Sequence, residues 1–87
     1  MSDYITQRCA LEKQLYAMRS GLWLDERDLK ECQERIKRIE GYVSDGVATK
    51  WLKRELSREK ERLPLLTKLV DCRHNSIQKL KQQLEDL

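Results

Sequence analysis

The sequence predicts an all-α chain, an antiparallel helical hairpin of coiled-coil type, and three observations predict it. Tyr4, Leu11, Leu15, Met18, Leu22, Leu29, Cys32, Ile36, Ile39 and Val43 follow one another in steps of three, four or seven residues. Leu52, Leu56, Leu63, Leu66, Val70, Ile77, Leu80, Leu84 and Leu87 do the same. That spacing places each set on one side of an α-helix. Between the two sets stands Ser44-Asp45-Gly46, a turn composition.

The first helix is expected over about 3–43, with Ser2 or Asp3 accepting the free amides of its first turn. The turn is expected at 44–46, bracketed by Gly41 and Gly46. The second helix is expected over about 47–86, capped by Ser44 or Asp45. With 87 residues, one domain at most is expected. Gly21 and Pro64 interrupt the two helices. A mid-helix glycine costs about 1 kcal/mol. A proline costs about 3 kcal/mol, because it has no amide proton and clashes with the preceding turn. The seven-residue phase nevertheless passes through both. A bend or short break near each is therefore expected, and a small segmented bundle of three or four helices is the structural alternative.

Facing stripes of this kind can pair in two registers. In one the paired numbers add to 95, as for Val43 with Leu52, Ile39 with Leu56 and Met18 with Ile77. In the other they add to 88, as for Cys32 with Leu56 and Met18 with Val70. The first is favoured because it puts Asp25 and Arg73, both at seam positions, in adjacent layers where each neutralises the other.

Composition narrows the function. Charged residues make up 38% of the chain and hydrophobic ones 39%, with three Gly, one Pro and no Phe. That is the makeup of long charged helices. No stretch of about 18 apolar residues occurs, so no membrane span is expected. The N-terminal residues lack a basic and apolar leader. Together with three cysteines, Cys9, Cys32 and Cys72, this points to free thiols in a reducing cytoplasm.

No residue pattern suits catalysis or a cofactor. Cys72 and His74 lie two apart, about 200° around a helix, and no second pair completes a zinc set. No phosphate-binding glycine loop and no paired nucleophile and base are present. The expectation is a non-enzyme without metal or cofactor.

Charge is uneven. Residues 33–62 carry nine Lys/Arg against six Asp/Glu, whereas residues 1–32 carry five against six. The basic excess gathers around the turn, at Arg35, Lys37, Arg38, Lys50, Lys53, Arg54 and Arg58. With Trp51 beside them, these could grip phosphates while an indole stacks on a base. Glu55, Glu59 and Glu61 dilute that field, so nucleic acid is the second reading.

The first reading rests on apolar residues off the seam. Trp23, Leu24, Trp51, Leu65, Leu69 and Tyr16 fall outside the two stripes. A two-helix hairpin cannot cover them all, and exposed apolar surface rich in Trp and Tyr marks a partner site. Leu22-Trp23-Leu24 and Leu63-Pro64-Leu65-Leu66 are the densest apolar runs. The expected role of Tyr16, Trp23, Leu24, Trp51, Pro64, Leu65 and Leu69 is to anchor a larger protein. Arg35, Lys53, Arg54 and Arg58 would steer an acidic surface toward them. Pairing of two hairpins into a four-helix bundle is a third reading.

In overall character, a small cysteine-containing helical chain with one mid-helix proline, the sequence resembles the small phage proteins that modulate host machinery, anti-RecBCD proteins among them. The resemblance implies inhibition or redirection of a host DNA-processing nuclease through its RecC subunit, and recruitment of a host prolyl isomerase. Pro64, the sole proline, would be the isomerase-relevant residue.

Overall fold

The computed structural model describes residues 2–47 and 49–87, the Ser2 side chain excepted. Two helices, α1 (Ser2–Ser44) and α2 (Lys50–Glu85), pack against each other along their length. The hairpin is a rod of 68 × 15 × 14 Å. A helix rises about 1.5 Å per residue. The 43 residues of α1 therefore account for nearly all of the rod's length.

The turn is built from two helix-end devices. Gly46 has φ +80°, a left-handed conformation. Residues with a Cβ rarely adopt it. It lets the amide of Val47 donate to the carbonyl of Tyr42 at 3.0 Å and its own amide to Val43 at 3.1 Å. These bonds close α1 with a Schellman motif. Thr49 then starts α2. Its backbone is extended, with φ −80° and ψ 160°. Its hydroxyl accepts from the amide of Leu52 at 3.2 Å, as an N-cap does. The connection therefore lies later than the expected 44–46, and the cap is Thr49 rather than Ser44 or Asp45. The physical reason is that the Schellman closure draws Ser44 and Asp45 into the end of α1. At the other end of α1, Asp3 lies in the first turn, where a negative charge suits the free amides; a Ser2 cap lies outside the described side chains.

Neither helix is broken. α1 runs through Gly21 and α2 runs through Pro64 without interruption, so the expected short breaks and the segmented bundle are not found. Pro64 is exposed, one residue after Leu63 and two before the buried Leu66. The seam on both sides of it stays in phase, and packing of that seam holds the helix together across the missing backbone bond.

The core is the seam itself, in two apolar clusters. Leu15, Ile77 and Leu80 are buried, with Leu11, Met18, Leu22 and Leu84 packed around them. Nearer the turn, Cys32, Ile36 and Leu66 are buried among Leu29, Leu56 and Leu63. These groupings follow the register in which numbers add to 95. Between the clusters lies a polar layer. Arg73 donates from Nε to Asp25 Oδ2 at 3.1 Å and from Nη1 to the Met18 sulfur at 3.4 Å. Its guanidinium fits because residue 21 has no side chain: a Cβ there would come within 2.7 Å of Arg73 Cζ.

The three glycines therefore differ in what a methyl group would do. A Cβ at Gly41 meets nothing within 4 Å. Gly41→Ala is expected to stabilise the hairpin by about 1 kcal/mol, and Gly46→Ala to destabilise it by at least as much because of its φ. Gly21→Ala should gain less than Gly41→Ala, because the Arg73 guanidinium must move. Thermal unfolding followed by circular dichroism checks the order, each kcal/mol being worth roughly 4–8 °C in a domain of this size.

Candidate interaction surface

The two long flanks of the rod differ. One is crossed by ion pairs between the helices. Glu26 Oε1 lies 3.3 Å from His74 Nε2, and Glu40 Oε1 lies 3.4 Å from Lys60 Nζ. The other carries one such pair, Arg35 with Glu59, and two shallow grooves that span both helices. The groove at the open end is lined by Gln7, Ala10, Leu11, Gln83, Asp86 and Leu87. The groove near the turn is lined by Arg35, Arg38, Ile39, Tyr42, Trp51, Leu52 and Glu55.

Steps of seven connect the two grooves, because seven residues make nearly two full turns. On α1 the line from Ala10 to Arg38 passes through Ala17, Leu24 and Glu31. On α2 the line from Trp51 to Asp86 passes through Arg58, Leu65, Cys72 and Lys79, and that from Glu55 to Gln83 passes through Arg62, Leu69 and Ser76. Leu24, Trp51, Leu65 and Leu69 thus share the grooved flank, all exposed. Tyr16 and Trp23 belong to a different line. With Arg19, Ser20 and the edge of Leu24 they form a separate depression on α1. Tyr16 is 75% exposed and Trp23 63%. The Arg27 guanidinium sits 5.5 Å from the centre of the Trp23 ring, a cation–π arrangement. Pro64 is exposed on a line of its own. The seven residues expected to anchor a partner are therefore exposed but divided over more than one face. Leu24 alone borders both patches, and Trp23 does not share a surface with Leu65.

The basic end is partly neutralised from within. Arg35 Nη1 donates to Glu59 Oε1 at 3.3 Å, and Arg58 Nη1 to Glu55 Oε1 at 3.4 Å. Lys53 and Arg54 carry no ion pair among the described residues, and with Ser57, Arg58 and Glu61 they outline a shallow basic depression.

Glu59 is the residue the apolar stripe does not reveal. It is only 6% exposed. Its Oε2 is buried without a hydrogen-bond partner. Its backbone carbonyl accepts from the fully buried Cys32 thiol at 3.3 Å. The signal lies in the gap between Leu56 and Leu63, which leaves residue 59 at a seam position. The thiol of Cys32 and then the guanidinium of Arg35 hold the Glu59 carboxyl below its ordinary range, against the cost of burial. Burial, reinforced by Glu59, pushes the Cys32 thiol up to about 11. A thiol held protonated in this way is a poor nucleophile. Among the described residues no group of three or more His, Cys, Asp and Glu is placed to hold a metal. Among the same residues no helix is long and apolar enough to cross a membrane.

The chain matches no family model, no curated protein and no solved structure.

The two titrating neighbours set opposite limits on stability. A lowered carboxyl stabilises the fold above its unfolded value, 4.5, and that contribution is lost as pH falls through the folded value. A raised thiol stabilises the fold below 9.0 and loses that contribution as pH rises toward about 11. Urea midpoints should fall at both extremes, with Glu59→Gln flattening the acid limb and Cys32→Ala the alkaline one. At neutral pH a thiol reagent should modify the exposed Cys9 promptly and Cys32 only on unfolding.

Proposed function

We propose that the hairpin is a non-enzymatic interaction module that docks on a larger protein complex in the cytoplasm and inhibits or redirects it. One observation carries this reading: the seam is complete, yet Tyr16, Trp23, Leu24, Trp51, Leu65 and Leu69 remain 45–75% exposed. A straight two-helix rod has no second layer with which to cover them. Exposed aromatic and leucine side chains beside arginines have the composition of interface anchors. The Tyr16–Trp23 patch suits this role best. Arg27 over the Trp23 ring holds it partly in place, which reduces the cost of ordering it on binding. Lys53 and Arg54 would speed the encounter with an acidic surface.

The narrower reading follows from the resemblance to phage modulators: the complex is a host DNA-processing nuclease of the RecBCD kind, with a prolyl isomerase engaged at Pro64. Nucleic acid is the second reading, supported by Lys53 and Arg54, without an ion pair among the described residues, on the same helix as Trp51.

Affinity capture of the wild-type chain and of a Tyr16→Ser/Trp23→Ser variant from the native cell tests the docking role. A specific co-purifying complex should weaken by about 30-fold or more in the variant, the order of a lost hot spot, while helicity and melting temperature are unchanged. Equal capture by both overturns the role. For the narrower reading, the purified nuclease should lose activity at an equimolar dose; full activity at large excess removes it. Binding of labelled single-stranded DNA at low salt that Lys53→Glu/Arg54→Glu abolishes would instead favour the second reading.

A further inference from the structure

The grooved flank has a composition that matches itself. From residue 7 to residue 24 its α1 side carries no charge: Gln7, Ala10, Gln14, Ala17, Gly21 and Leu24. Its α2 side holds Leu65, Leu69, Cys72 and Ser76, with Lys79 and Asp86 nearer the open end. Toward the turn, both sides become charged and aromatic. We propose that a second copy of this chain covers this flank. The two hairpins lie in parallel, turn beside turn, related by a twofold axis along their length. α1 of each copy then faces α2 of the other.

The pairing can be worked out from the heptad lines. With α1 of one copy beside α2 of the other, residues whose numbers add to 93 come within about 3 Å of level, the nearest match these heptad lines allow to the 95 of the seam. Leu24 meets Leu69, Ala17 meets Ser76, and Gly21 meets Cys72. Glu31 meets Arg62, Arg38 meets Glu55, and Tyr42 meets Trp51. Apolar meets apolar, small meets small, opposite charges meet, and the two aromatics of the flank meet. At the open end Lys79 and Asp86 fall against the amides of Gln14 and Gln7. Arg35 comes level with Arg58, but each already holds a carboxylate of its own chain, Glu59 and Glu55. Asp28 against Leu65 is the one poor match. Head-to-tail stacking fails by comparison. It would set α1 on α1 and α2 on α2, and bring Ala17 against Asp28 or Arg35 and Leu65 against Lys79.

The area is sufficient. The face is 68 Å long and 15 Å wide. It offers about 1,000 Å² per copy, against about 800 Å² per partner in a standard stable interface. Lys50, Lys53 and Arg54 lie off the lines that face the second copy, so the neighbouring basic ends stay in solvent, where salt screens them. Tyr16 and Trp23 lie off this flank; self-pairing would take Leu24, Trp51, Leu65 and Leu69 and leave docking on another protein to those two aromatics, and the pairing stands whether or not the docking role does.

Sedimentation equilibrium of the full chain is the first test. A dimer is expected at tens of micromolar. Leu24→Glu/Leu69→Glu should weaken it at least tenfold with helicity unchanged. Glu31→Arg alone should weaken it, and adding Arg62→Glu should restore it. Orientation is read from probes on Asp45→Cys in a Cys9→Ser/Cys72→Ser background. They should lie close together, whereas a separation near the 68 Å rod length overturns the parallel arrangement. A monomer at high concentration, or a dimer indifferent to the leucine changes, overturns the proposal and leaves the flank to another protein.

Discussion

The register between the two helices depends on one side chain, the guanidinium of Arg73. It fills the space left by Gly21, donates to Asp25 and touches the Met18 sulfur. The leucine stripes alone would not choose their partner so firmly. A slip of one heptad still opposes Met18 with Val70 and Cys32 with Leu56, and so forfeits little apolar burial. The same slip would set Asp25 against Leu63 and Arg73 against Leu15. The Asp25 side chain is 18% exposed and that of Arg73 37%. Separating them leaves two half-buried charges without partners, a cost above the ~0–1 kcal/mol that an exposed ion pair contributes. The polar layer thus acts more by penalising the wrong alignment than by strengthening the right one.

Glu59 repeats this logic nearer the turn. In the observed register its backbone and carboxylate meet Cys32 and Arg35; one heptad away it would face Leu29. Burying a carboxylate with one oxygen unsatisfied is locally unfavourable. It persists because Arg35 lies within reach and because the thiol keeps its proton. Two polar layers on either side of Leu29 and Leu66 therefore demand the same alignment, and the five residues from Asp45 to Thr49 join the helices at a distance compatible with it. Turn chemistry, apolar spacing and charge placement agree, which is what gives a chain of this size a single folded state.

Much of this is legible in the residues alone. The stripes name the seam, and the two charges inside them name the register. What escapes such a reading does so for identifiable reasons. Pro64 reads as a break in α2 because its local cost is large. That cost is confined to one backbone bond, whereas the seam that opposes it runs the length of the helix. Ser44 and Asp45 read as caps of α2 because both residue types cap well; a left-handed Gly46 instead consumes them in ending α1. Glu59 stays hidden because a stripe is found by collecting apolar residues, and a buried carboxylate appears in it only as a gap. The residues expected to anchor a partner read as one surface because heptad letters give direction around one helix only. Once the helices are paired, Leu24 turns toward the grooved flank and Trp23, its neighbour in sequence, turns away from it.

That division constrains what the molecule can do. In a globular domain an exposed leucine can be covered by a loop or by another helix of the same chain. Here α1 and α2 are each already committed to the seam, and the connection is too short to fold back over either flank. Any cover for the apolar side chains must come from outside the hairpin. The two surfaces ask for different covers. One is long, shallow and mostly uncharged toward the open end, which suits an elongated helical surface of similar length. The separate depression on α1 presents a compact aromatic patch, Tyr16 with Trp23, framed by Arg19 and Arg27, which suits insertion into a pocket. A rod held straight by its seam keeps these two surfaces at a fixed angle to each other, so occupation of one does not require distortion of the other.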